Sequence, residues 1–238
     1  MGQYYHIFNL DKRQQLLPFD YDNGLKLMEW SYNKNCLVLA LMNLLTDEWK
    51  GDRVYVIGDY ADLSDKDEVW APVYEKLLQE LGGTDDNDTV YNLCDVFERV
   101  LPDHTLRDRP LYHEENYSRH AAITACTQDT GIRYVYNHTL KNFVDLTKCP
   151  IDWTYVDETG ALIPVSIAPL PLLLAMGNGR GGGDYRNEQN ENLLGGWCET
   201  VTSIEVAQDK LPGTEHYTEF RPNFTENDPL IPYDSLDR

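Results

Sequence analysis

Apolar residues along this chain fall into two periods, which divide it into strands and helices. Tyr4 to Asn9 is aromatic and β-branched, and the charged turn Leu10-Asp11-Lys12-Arg13 is followed by a return from Gln14 to Leu17, predicting a hairpin. Leu25 to Trp30 and Cys36 to Leu45 are apolar enough for helices, and Arg53 to Gly58 reads as a buried strand. Gly58-Asp59-Tyr60-Ala61-Asp62 is a turn with two carboxylates, and Ser64 to Asp67 have the composition of a helix start. Trp70, Val73, Tyr74, Leu77, Leu78 and Leu81 then repeat with helical spacing up to the terminator Gly82-Gly83. After the polar linker Thr84 to Thr89, residues Val90, Cys94, Phe97 and Leu101 predict another helix face, stopped by Pro102.

The second half follows the plan of the first. Arg133 to Asn137, a turn over 138–141 and Asn142 to Leu146 predict a second hairpin with Asn at the turn entrance. Leu172 to Asn178 resembles Leu37 to Asn43, and Asn192-Leu193-Leu194 before Trp197 and Val201 resembles Asn43-Leu44-Leu45 before Trp49 and Val54. The expected fold class is α+β, with duplicated hairpin, helix and strand units at 4–60 and 133–206 and a helical insertion at 62–117. One globular domain spans 1–211. The Pro-rich stretch 212–238 reads as an extended acidic tail.

Composition sharpens the choice of partner. The 238 residues carry 40 acids against 20 bases, a net charge of −20. That field disfavours the outside of a nucleic-acid duplex and suits a basic protein partner, charge mimicry of nucleic acid or a solvated surface. No secretory leader precedes the first strand and no apolar run reaches membrane-spanning length, which predicts a cytoplasmic protein without membrane contact. Five scattered cysteines without C-x-x-C spacing point to reduced thiols, mostly buried.

The best candidate for chemistry is Gly177-Asn178-Gly179-Arg180-Gly181-Gly182-Gly183-Asp184-Tyr185. Its amides can turn around an anion, with Gly179, Arg180, Gly181, Gly182, Gly183, Asp184 and Tyr185 as the ligand-binding set. The stretch lacks the Gly-Lys-Ser/Thr of a phosphate loop and the helix that follows a dinucleotide fingerprint, so a plain surface connection is the competing reading. Asp59, Asp62 and Asp184 flank glycine-bearing turns and could ligate a divalent cofactor such as Mg²⁺ or Ca²⁺; local turn bonds are the alternative. His113 and His120 lack zinc-protease spacing, and no Gly-x-Ser-x-Gly elbow occurs. Cys126 and Cys198 are nucleophiles only if a His and an acid converge on them.

Met-Gly-Gln-Tyr-Tyr at the start, Gly24 to Trp30, Trp49-x-Gly51-Asp52-Arg53-Val54, Gly58-Asp59-Tyr60 and Gly177 to Tyr185 together resemble a family of bacterial and phage proteins of uncharacterised activity. The resemblance implies an intracellular, phage-borne or accessory role and carries over no catalytic residue. Two classes of function stay open. One is an acidic, Tyr-rich interaction protein; the other is a phosphate- or nucleotide-binding protein, or a metal-dependent hydrolase, built on the glycine-rich loop.

Overall fold

The computed structural model describes residues 2–83, 88–102, 131–156, 162–177, 185–186, 194–221 and 224–226. The fold is α+β. Strands β1 (Tyr5–Asn9), β2 (Gln14–Leu16), β3 (Val54–Gly58), β4 (Glu98–Arg99) and, from far along the chain, β9 (Ala175–Met176) form one sheet in the order β4-β2-β1-β3-β9. A second sheet takes β5 (Tyr134–Asn137), β6 (Asn142–Asp145), β11 (Ile204–Ala207) and β12 (Thr218–Glu219) in the order β11-β5-β6-β12. Two smaller pairs complete the strands of the described residues: β7 (Ile151–Val156) with β8 (Leu162–Ser166), and β10 (Tyr185–Arg186) with β13 (Thr225–Glu226).

The two larger sheets share a topology and a register. In each, a hairpin is flanked by a strand antiparallel to its first arm and one parallel to its second. Asn9 stands opposite Gln14 and Val54; Asn137 stands opposite Asn142 and Ile204. Both asparagines are fully buried, and each side-chain oxygen accepts a turn amide, from Lys12 at 3.0 Å and from Leu140 at 3.0 Å. The turn closes through a left-handed residue in both, Arg13 at φ 53° and Lys141 at φ 52°. Val201 is therefore not the counterpart of Val54. Residues Cys198–Ser203 form a 3-10 stretch, and the third strand begins at Ile204.

The connections differ between the halves. Helix α1 (Leu27–Trp30) and helix α2 (Cys36–Thr46) fill the first. Asn35 caps α2 by accepting from the Leu37 amide at 2.9 Å, and the helix is buried on nearly every side, as its uniformly apolar sequence requires. It packs against β11, which joins both sheets to one apolar core. In the second half the similar segment makes only a short helix, and its end becomes β9, an edge strand of the first sheet parallel to β3.

The middle of the chain also departs from the sequence pattern. Ser64 to Asp67 form turns, and helix α3 (Ala71–Glu80) starts only after Trp70. It ends as predicted: Gly82 is left-handed at φ 81°, and the Gly83 amide returns to the Leu78 carbonyl at 2.9 Å. Helix α4 (Val90–Cys94) stops well before Pro102. The Gln15 side-chain amide bonds the carbonyls of Asp95 and Phe97, while the amides of Glu98 and Val100 bond Arg13 and Gln15, turning this stretch into β4. A fifth helix, α5 (Pro169–Leu173), precedes β9, and no helix among the described residues is long and apolar enough to cross a membrane.

Candidate functional site

The parallel pairing of β3 and β9 brings two chain exits together. Ile57 lies opposite Met176, so the turn at Gly58-Asp59 and the start of the glycine-rich run at Gly177 leave the sheet side by side. Gln3 and Tyr5 fill the space between them, with the Tyr5 hydroxyl donating to Gln3 Oε1 at 2.8 Å. A methyl group on Gly177 would collide with that hydroxyl, so the position requires glycine for close approach. Residues 178–184, including Gly179, Arg180, Gly181, Gly182, Gly183 and Asp184, lie outside the described residues. Tyr185 is in the core, its hydroxyl donating to that of Tyr32 at 3.3 Å.

Asp59 and Asp62 are already engaged. Asp59 Oδ1 accepts from the Tyr4 amide at 2.9 Å, and the Asp59 amide returns to the Tyr4 carbonyl at 2.9 Å. Burial raises the Asp59 carboxyl above its ordinary value, and the backbone bonds it receives pull the other way. Asp62 Oδ1 accepts from the Ser64 amide at 2.5 Å, an Asx turn. Among the described residues no group of three His, Cys, Asp or Glu side chains is placed to hold a metal ion, and Asp184 is not among them.

The thiols and one histidine are shielded. Cys36, Cys94 and Cys198 are buried; burial pushes the Cys94 thiol to about 12 and raises Cys198 further, so neither presents a thiolate near neutrality. Cys126 lies outside the described residues. His6 is pushed down to about 4 by burial, against the pull of Asp95, and its Nε2 bonds the Tyr91 hydroxyl at 2.9 Å. It is a neutral core group.

One constellation had no signal in the sequence. His138, directly after β5, sits with Nε2 2.8 Å from a Glu205 oxygen of β11 and Nδ1 3.0 Å from the Tyr217 hydroxyl that precedes β12. Lys50 bonds the other Glu205 oxygen at 2.7 Å and lowers its pKa, which keeps this carboxylate ionised and able only to accept. The bonding therefore assigns a proton to Nε2, and in the neutral imidazole Nδ1 accepts from Tyr217. The imidazole is stacked on Tyr136, 6.1 Å between centroids at 6°. The three members come from separate stretches of chain, and only the shared sheet register brings them together.

A further surface feature of the described residues is apolar. Tyr4, Tyr60, Leu63 and Val69 are exposed in or beside the turns that carry Asp59, Asp62, Asp67 and Glu68, and Phe19, Val96 and Leu101 are exposed around β4. Comparison with protein-family models, curated proteins and solved structures returned no match, so the chain's own residues carry the functional argument.

Proposed function

We propose that this chain is a cytoplasmic interaction protein that engages a positively charged protein partner, in an accessory role such as a phage-encoded one. The observation that carries this reading is the setting of exposed apolar and aromatic side chains, such as Tyr60 and Leu63, among carboxylates on a molecule of net charge −20. Apolar anchors supply contact area, and the surrounding field steers a basic surface toward them. The described carboxylates and thiols best placed for catalysis are occupied by backbone amides or shielded by burial, which supports binding over chemistry. Association rates with a basic partner recovered from the native host are expected to fall as salt rises across the range where screening lengths shrink to about 8 Å. Salt-independent rates reject the reading.

A second reading is favoured by the paired exits of β3 and β9, because crevices at the carboxyl ends of parallel strands are common ligand sites. There the glycine-rich run would hold a phosphate or nucleotide, with or without a divalent cation. A thermal-shift screen with nucleotides and Mg²⁺ separates the two, since a specific ligand raises the midpoint by binding only the folded state.

A further inference from the structure

The first sheet has an unusual margin at β4. This strand pairs with β2 through the amides of Glu98 and Val100, which donate to Arg13 at 2.9 Å and Gln15 at 2.8 Å. Alternate residues of a strand point their main-chain groups to opposite sides, so the N–H and C=O of Arg99 face away from the sheet. Side-chain bonds hold the stretch in place. Gln15 Nε2 bonds the carbonyls of Asp95 and Phe97 at 3.0 and 2.9 Å, and Tyr21 donates to Val100 O at 3.3 Å.

Apolar side chains mark both ends of this margin. Val96 is 86% exposed before β4 and Leu101 65% after it, and Phe19 at 75% rides on the 3-10 turn Pro18–Tyr21, which the Arg99–Asp20 ion pair fastens beside the strand. These are the largest exposures among the large apolar side chains described. At this margin the acids Asp20, Asp95 and Glu98 outnumber the bases Arg13 and Arg99, Arg99 being paired with Asp20, and a net charge of −20 opposes the approach of a second copy. The complementary occupant is an extended segment that alternates Lys or Arg with apolar residues.

We propose that the β4 margin accepts such a segment of a partner protein as an added strand, bonded through the Arg99 main chain and seated on Val96, Phe19 and Leu101. The proposal rests on the interaction reading above and gives it a place and a partner chemistry. The probe is a fluorescent peptide of about ten residues alternating Lys and Val, compared with a Glu and Val counterpart and with a form N-methylated along one edge. The Lys and Val peptide is expected to bind at low salt, with affinity reduced about tenfold or more by Phe19→Asp with Leu101→Asp, and more by Arg99→Pro, which removes the main-chain donor, than by Arg99→Ala, which removes only the ion pair to Asp20. The N-methylated and acidic peptides are expected to fail, and Leu140→Ala with Ile151→Ala, exposed elsewhere on the molecule, to change nothing.

If Arg99→Pro does not fold, the N-methylated peptide decides the main-chain question. Equal binding of the N-methylated form, or full affinity in the Phe19 and Leu101 double variant, overturns the β4 assignment and leaves the basic-partner reading standing. Failure of the Lys and Val peptide to bind at low salt also overturns the β4 assignment, whereas the basic-partner reading itself falls only with salt-independent association of the host partner. A dimer that forms at high salt and is lost in Leu101→Asp assigns the margin to a second copy and also overturns the proposal.

Discussion

Asp145 sits at the end of β6 with its carboxylate buried and bonded by Arg133 and by Thr147. Burial alone would raise its pKa; the bonds from Arg133 and Thr147 outweigh that and bring it to about 2 from an ordinary 3.8. Because the folded value lies below the unfolded one, its stabilisation is complete above about pH 4 and disappears as pH falls toward 2. Urea melts of Asp145→Asn against wild type should differ by about 1–2 kcal/mol at pH 7, with Arg133 half-exposed and partly screened, and converge near pH 2. At the Glu205–His138–Tyr217 chain, Tyr217→Phe removes one hydrogen bond while keeping the ring, so a loss of about 0.5–1.5 kcal/mol is expected. A loss below that range in the same melts would mean that solvent replaces the bond without cost.

At the level of elements, the hairpins were legible because their patterns are local. Asn9 and Asn137 sit where aromatic strands stop, and a buried asparagine that bonds turn amides is the physical reason for that signature. Asn137→Ala leaves the Leu140 amide without its side-chain acceptor and the Thr200 and Ser203 hydroxyls without a shared partner, at a cost of about 1–3 kcal/mol by denaturant titration. Helix α3 was equally plain from its apolar spacing. The helix read through Leu101 was not, because the competing bonds come from Arg13 and Gln15, far away in sequence. The same applies to β9: Leu172 to Met176 has the composition of α2, and only the open edge of β3 decides that its end becomes a strand. Glu205, His138 and Tyr217 were invisible for the related reason that no spacing rule connects three strands of one sheet.

At the level of the whole molecule, the halves are interlocked rather than sequential. The first sheet borrows β9 from beyond the second hairpin, and α2 of the first half lies on β11 of the second. A fragment ending at Pro102 contains β1 to β4 yet lacks both partners, leaving β3 and much of α2 without cover. Such a fragment is expected to show no cooperative thermal transition and to aggregate, with recovery on adding residues 131–238 as a separate chain; a sharp transition for the fragment alone would contradict this.

The borrowed strand also sets an order in time. A ribosome releases the chain from its N-terminus, so β3 emerges long before Ala175 and Met176 are made, and for that interval an apolar strand presents a bare edge to the cell. Chaperone holding, or slow translation upstream of Ala175, would act on this molecule through that unfilled edge.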